Sequence, residues 1–330
     1  MSATFPWSAR SLADIAPTSA PTPWSAKSLA AIARAPLGRQ LPAALPVTVN
    51  MVVKIWNVEH GACAMVYPTY NGVPGHIAMI DAGCRDDWHP SIHLRYAMNR
   101  TELNYLFVQN ADQDHLSDLQ GLSDYGVNVS VLHRAAVSPL ALRAIKLLEC
   151  GETTGAFDQF ASMCQSYTAP VAQPFNTSMG GMTYSAFHNE FRRFTDTNNL
   201  SLALFFKFGG FKILFGGDLE RDGWLALLEK PAFRAELLNT NIFVASHHGR
   251  ENGFCRELFD YFAPSAVVMS DKAMVHETQE MGDTYRGIVR GGIVTRGSRS
   301  QRFVLTTRCD GHITFTVVPF SHYSVDLEHD

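Results

Sequence analysis

The sequence predicts an α/β sandwich. Three observations lead there. Short apolar runs of β character, bounded by turn signals, begin at Val49. Helix-patterned segments lie between two such β-rich halves. Several short polar motifs follow directly on the end of an apolar run. The chain has 330 residues and is 46% hydrophobic, enough to bury one large core or two small ones.

The elements follow in chain order. Residues 1–48 are rich in Ala, Pro and Ser and contain a repeat: the segment 6–16, PWSARSLADIA, recurs at 23–33 as PWSAKSLAAIA. Each copy reads as a short helix with Ser8 or Ser25 as N-cap and Trp7 or Trp24 stapled onto Leu12 or Leu29. Helices of about two turns are marginal in water, so each copy needs a surface to fold on. Three readings stand: a mostly disordered tail with a chance duplication, a tail docked on its own domain, or a linear motif that docks a protein partner. Residues 49–330 form the expected folded domain.

Within that domain, 51–58, 62–67 and 75–81 read as strands, and a further strand at 105–109 leads into Asn110-Ala111-Asp112-Gln113-Asp114-His115. A helix opens at 116–121, a strand is expected at 129–132, and 140–149 and 154–167 carry helical periodicity. Residues 200–215, interrupted by Lys207, Gly209, Gly210 and Lys212, read as a hairpin rather than a membrane span. A helix at 221–228 and strands at 242–245 and 266–270 follow. The end is expected to be a hairpin, 303–307 with 312–318, turned by Asp310-Gly311.

Composition excludes some classes. Charged residues are 18% and the net charge is −4, so the chain as a whole is not a basic nucleic-acid binder. The six cysteines form no C-x-x-C pair and read as thiols of a reducing compartment. No secretory signal or transmembrane run is seen, and the expected location is cytoplasmic.

Four motifs sit at strand ends, where rigid elements can aim loop side chains at one point: Asp81-Ala82-Gly83, Asn110 to His115, Gly216-Gly217-Asp218, and Ser246-His247-His248-Gly249. Carboxylates and imidazoles in this combination suit a divalent ion that lowers the pKa of bound water. Asp114 and His115 are adjacent and can share one ion only from a sharp loop.

As a set, these residues resemble the motif series of the metallo-β-lactamase superfamily, and more specifically the hydrolase domain of ComEC-like proteins. Asn57 to Ala62 is similar to that family's V-G-Q-G-D loop, and Met79 to Gly83 to its L-I-D-x-G. Asn110 to His115 corresponds to H-x-H-x-D-H, Asn198 to Leu202 to N-N-x-S-L, Leu214 to Asp218 to L-L-T-G-D, and His247 to Gly249 to H-H-G. The 307–314 stretch resembles the family's closing T-x-x-G-x-I. The resemblance implies a four-layer αββα sandwich with a metal site at one edge. Asp218 becomes the bridging carboxylate, Asp112, Asp114, His115, Asp218 and His247 or His248 the ligands, and Asp81 and Asn110 their buttresses.

The chain departs from the family at Asn110 and Asp112, which replace histidines of the first metal subsite. His133 and His188 lack the context of a replacement. The donor set becomes oxygen-rich, suited to one or two ions of Mn²⁺ or Mg²⁺ rather than the Zn²⁺ of a three-histidine pocket. His60 stands where the related loop has Gln, and is read as a substitute ligand or a general acid. Ser270, Lys272 and His276 resemble the family's active-site rim. Arg286, Arg290, Arg296, Arg299 and Arg302 either grip phosphate, with Arg296 and Arg299 as the substrate contacts, or form a solvated face.

The expected activity is metal-dependent hydrolysis of a phosphodiester or nucleic acid by a metal-bound hydroxide, catalytic residues Asp114, Asp218 and His60. Some soluble relatives belong to bacterial (antiviral) defence modules. The alternatives are hydrolysis of a small phosphoester, lactone or thioester, or a binding or scaffold protein that has kept the fold.

Overall fold

The computed structural model describes residues 24–26, 47–170, 175 and 177–330. Two sheets face each other. The first runs in the order His322–Leu327, Ile313–Val318, Val49–Ile55, Ala64–Tyr70, Ala78–Ile80, Glu102–Val108, Asn128–Arg134, Trp24–Ala26, Ala169–Pro170. The second runs Val304–Thr306, Ala266–Met269, Ile242–Val244, Phe211–Phe215, Ala203–Phe208, Thr183–Phe187.

The side-chain alternation of a strand explains the layering. In the second sheet Leu204, Phe206, Ile213, Phe215, Ile242, Val244, Ala266 and Val268 face a core shared with the first sheet. Their neighbours Ala203, Phe205, Leu214, Phe243, Val267 and Met269 face an outer core with Trp224, Leu227, Phe233 and Leu237. Those last four belong to the helices Arg221–Leu228 and Pro231–Leu237. A strand covered on both faces reads as a continuous apolar run, which is what 203–206 shows. The opposite outer layer carries Pro139–Cys150 and Gly155–Ser166. Ser138 Oγ caps the first of these at Ala141 N–H, and Thr154 Oγ1 caps the second at Phe157 N–H. Phe157, Phe160, Ala161 and Cys164 then form the buried stripe of the second helix. The architecture is the αββα sandwich expected from the resemblance.

Two expectations are corrected. Val304–Thr306 and Ile313–Val318 do not form a hairpin. The first pairs in parallel with Ala266–Met269 in the second sheet; the second pairs with Val49–Ile55 in the first. The helical turn Thr307–Asp310 and Gly311, at φ +67°, carry the chain from one sheet to the other. In the second copy of the repeat, Trp24–Ala26 is a strand, antiparallel to Asn128–Arg134 with Trp24 opposite His133. The backbone of an outer strand offers unpaired groups that an extended segment can satisfy. The rest of both copies, Trp7 included, lies outside the described residues. Among the described residues no helix is long and apolar enough to cross a membrane.

His133 is 2% exposed, with Phe107 at 5.4 Å between ring centroids. Burial, reinforced by the nearby His188 and Arg134, pushes its pKa down to about 3. The folded pKa lies below the unfolded value of about 6.5, so the unfolded chain binds the extra proton. Stability is unaffected by this group above that value and declines as pH falls below it, by roughly 1.4 kcal/mol per unit. Unfolding in urea is expected to show His133→Gln losing about 2 kcal/mol less than the parent between pH 7 and pH 5. Equal losses in the two proteins exclude this source of acid sensitivity.

Candidate metal centre

The site forms where loops from both sheets meet. From the first sheet, the Glu102–Val108 strand ends and the chain turns into Gln113–Leu116. Backbone bonds hold this turn against the 81–83 loop: Ala82 N–H donates to His115 O at 2.8 Å and Asp118 N–H to Ala82 O at 2.8 Å. A Cβ at Gly61 or Gly83 would come within 2.4 or 2.5 Å of the Asp114 carbonyl oxygen, so only glycine permits this approach. From the second sheet, Gly217 takes φ +56° ahead of Asp218, and His247 N–H donates to Gly217 O at 2.9 Å. Asp81, His247 and His248 are all left-handed, at φ +56°, +49° and +56°. Each such residue is strained by roughly 1 kcal/mol or more and persists only where its surroundings hold it. Gln109 ties the halves together, its Nε2 donating to Leu202 O at 2.6 Å and Phe215 O at 3.2 Å.

These loops bring Asp114, His115, Asp218 and His248 together, with one ligand atom from each within 4.8 Å of the others. His115 Nε2 lies 3.1 Å from Asp218 Oδ1. His248 Nε2 lies 3.0 Å from Asp114 Oδ2 and 3.7 Å from Asp218 Oδ1. Three of these atoms, His115 Nε2, His248 Nε2 and Asp218 Oδ1, are buried without a well-formed hydrogen bond. Buried polar atoms normally have partners, and a cation among them satisfies all three. The far side of each ring is engaged: His115 Nδ1 meets Asp81 Oδ2 at 2.7 Å, and His248 Nδ1 meets Ser270 O at 3.0 Å. Both rings therefore present Nε2 to the cluster, as ligating histidines do.

The carboxylates of the cluster favour the charged forms of both imidazoles. Burial opposes charge on His115, but Asp218 and Asp81 outweigh it and hold its pKa well above the usual range. Burial likewise opposes charge on His248, and Asp218 and Asp114 raise it. Burial disfavours the ionised forms of Asp114 and Asp218, yet His248 and His115 hold both carboxyls well below their usual range. Burial raises Asp81, with His115 opposing. An ion would thus compete with protons for both rings.

The other expected site residues fall in different places. Asp112 leaves the ligand set: its Oδ1 takes the Lys146 ammonium at 2.8 Å, and Glu149 Oε2 shares that cation at 3.3 Å. Asn110 is buried and supports the loop, bonding Asn198 Oδ1 at 3.1 Å and accepting from Asp112 N–H. His247 is not in the cluster; its Nδ1 faces Glu220 Oε1 at 3.6 Å. Ser270 is buried, its hydroxyl donating to Gly61 O and its carbonyl orienting His248. His276 is exposed and caps the turn Glu277–Gln279. Arg296 faces Asp326 at 3.6 Å, and Arg299 occupies a left-handed turn whose neighbours Gly297 and Ser298 are held by Asp330. Neither arginine lines the cavity that opens beside the cluster.

That cavity, of about 450 Å³, is lined by Val58, Glu59, His60, Cys84, Arg85, Asp86, Asp87 and Lys272. His60 is on its wall with Nε2 3.6 Å from Asp114 Oδ2. Burial lowers the His60 pKa, with Asp114 opposing, so the ring tends to the neutral form. Lys272 is exposed on the same wall.

Asp81→Asn is expected to weaken binding of a divalent ion by roughly 10–100-fold, because His115 loses the carboxylate that fixes its tautomer. Isothermal titration with Mn²⁺, which thiolates do not favour, reads this; an unchanged affinity means Asp81 does not position His115.

No family model matches the chain, and no curated protein matches it. Among solved structures, it is similar to the metallo-β-lactamase-fold protein YhfI from Bacillus subtilis, at 9% identity and TM-score 0.43, covering 81% of this chain and 99% of that one. It is also similar to a Parabacteroides distasonis protein named for metal-dependent hydrolysis, at 11% identity and TM-score 0.40, covering 78% and 93%. A variant of the CmlA beta-hydroxylase is 13% identical with TM-score 0.45, covering 84% of this chain and 54% of that one. The likeness in each case is one of fold.

Proposed function

We propose that the chain is a divalent-metal-dependent hydrolase and that its substrate is a phosphodiester, with a nucleic acid or nucleotide as the first class to test. The observation that carries the metal reading is the buried group Asp114, His115, Asp218 and His248, three of whose atoms have no well-formed hydrogen bond. With Asp112 bound to Lys146, the donors are two carboxylates and two imidazoles, a balance that suits Zn²⁺ or Mn²⁺ better than Mg²⁺. A bound ion supplies Lewis acidity and lowers the pKa of a coordinated water. Asp114 and Asp218 hold it, Asp81 and Ser270 fix the ligand rings, and His60 is placed at the cavity wall to accept or return a proton. Lys272 offers a cation to a phosphate in the cavity.

The Asp112–Lys146 pair favours a second reading, because it commits to an internal ion pair a carboxylate that a two-ion site would use. On that reading the protein binds a ligand through one ion and does not turn it over. A protein partner at the duplicated Trp motif and a place in a defence module are proposals resting on the repeat and the resemblance alone.

The test is elemental analysis of the full chain purified without chelator, followed by assays with bis(4-nitrophenyl) phosphate, DNA, RNA, a lactone and a thioester in Mn²⁺ or Zn²⁺. Metal-dependent turnover of the phosphodiesters supports the proposal. A bound ion with turnover of the lactone or thioester alone moves the substrate class. A bound ion without any turnover supports the binding reading, and absence of ion binding removes the metal reading.

A further inference from the structure

We propose a second metal site, formed by Cys84, His89 and Asp118 and suited to a thiophilic ion such as Zn²⁺. One ligand atom from each of these three residues lies within 4.8 Å of the others. None of them belongs to the cluster described above, although the same loop serves both: Asp81 supports His115, and Cys84 follows three positions later.

The backbone builds the arrangement. Cys84 N–H donates to Ser117 Oγ at 2.9 Å, and Asp118 N–H to Ala82 O at 2.8 Å, so the backbones that carry the thiol and the carboxylate are clamped on neighbouring loops. His89 precedes the short helix Pro90–Ile92, and its Nδ1 lies 3.1 Å from Asp118 Oδ1. Asp118 is 4% exposed. Its Oδ2 accepts from Ser91 N–H at 2.7 Å, so part of its role is to cap that helix. A carboxylate has about four acceptor positions, and this capping plus the His89 contact uses two.

A second observation marks the place as under-satisfied. Ser91 Oγ is fully buried and has no hydrogen-bond partner. It adjoins the carboxylate, since a Cβ on Gly121 would meet Asp118 Oδ1 and Ser91 Oγ together. Cys84, only half-buried, also lines the 450 Å³ cavity that His60 and Lys272 share. Cys84 thus opens one side of the donor set on this cavity, where a fourth, exchangeable ligand would sit as in three-ligand zinc sites. Thiolate, imidazole and carboxylate form a softer set than the two carboxylates and two imidazoles of the first cluster. Binding is a simple exchange: the Cys84 thiol releases its proton to solvent and its sulfur bonds the ion.

Titration of the reduced full chain with Co²⁺, followed by near-ultraviolet absorption, tests this. The expected result is a thiolate-to-cobalt charge-transfer band that saturates at one equivalent per chain in Asp218→Asn, where the first cluster takes up no ion, and by two equivalents in the parent. Cys84→Ser and His89→Gln, checked for native circular dichroism, are expected to lose the band. Cys63→Ser is expected to keep it, as is Asp218→Asn, which empties only the first cluster. Absence of the band in the parent, its persistence in Cys84→Ser, or its loss in folded Cys63→Ser overturns the proposal. Loss of the band in folded Asp218→Asn also overturns it, because the ion would then be shared with the first cluster. Failure of the first cluster to bind metal leaves the thiolate band intact, so the two readings fail separately.

Discussion

Asp218→Asn is expected to empty the first cluster. The side chain is 3% exposed and its Oδ1 faces both His115 Nε2 and His248 Nε2. The amide has nearly the same shape, so the change removes charge and leaves packing intact. Two consequences follow. Ion affinity is expected to fall by more than the roughly 10–100-fold typical of residues that only orient a ligand. Metal-dependent turnover, where it is found, falls with it. Without Asp218, His115 and His248 also lose the carboxylate that most strongly raises their pKa, and both rings shift toward the neutral form. Elemental analysis and thermal stabilisation by added Zn²⁺ or Mn²⁺ measure the first effect. Asp112→Asn is the matched control: its carboxylate serves Lys146, so metal content is expected to match the parent. If Asp218→Asn retains a full complement of ion while Asp112→Asn loses it, the ligand assignment is wrong.

The largest stability effect is expected at Trp224. Its side chain is fully buried in the outer core with Phe233 at 6.0 Å and Phe243 at 6.2 Å between centroids. Its Nε1–H donates to Ser246 Oγ at 2.9 Å, and that hydroxyl donates to Gly253 O at 2.8 Å. The indole therefore fills the layer beneath the second sheet and also braces the loop that carries His248. Trp224→Ala is expected to cost about 3–5 kcal/mol through lost burial and the cavity left behind. Trp224→Phe keeps most of the volume and loses one buried hydrogen bond, costing roughly 1–3 kcal/mol. Urea unfolding in the presence of chelator separates these from any effect of metal. Two variants within about 1 kcal/mol of the parent would falsify this packing.

Much of this was legible in the sequence because short-range patterns carried it. The continuous apolar run at 203–206 and the Gly209-Gly210 turn specify a doubly covered hairpin. The periodicity at 140–149 and 154–167 specifies the two helices, the first of which starts one residue earlier, at Pro139. The polar motifs at strand ends point to Asp114, His115 and Asp218. What was not legible depends on distant parts of the chain. Asp112 reads as a ligand until Lys146 is folded onto it. His247 and His248 are adjacent and alike, and only consecutive left-handed backbone turns decide that the second reaches the cluster. Ser270 reads as an active-site rim residue, and only the fold shows that its hydroxyl goes to Gly61 O. Asp310-Gly311 carries a hairpin signal, but the helical turn before it passes the chain between sheets. Cys84 gives no spacing cue, because His89 and Asp118 reach it through the fold. The repeat reads as helical, and the edge of Asn128–Arg134 draws Trp24–Ala26 into a strand.

The cluster takes Asp114 and His115 from one half of the sandwich and Asp218 and His248 from the other, with Gln109 bridging between them. This division sets an order of events in assembly. Neither half alone owns more than two donors, and such pairings between distant segments form late because loop closure must come first. Tight ion capture is then a report of completed docking. In refolding experiments on Cys84→Ser, where only this cluster takes up the ion, Zn²⁺ uptake is expected to lag behind formation of secondary structure. Once captured, the ion acts as a latch, slowing separation of the two sheets more than it speeds their meeting.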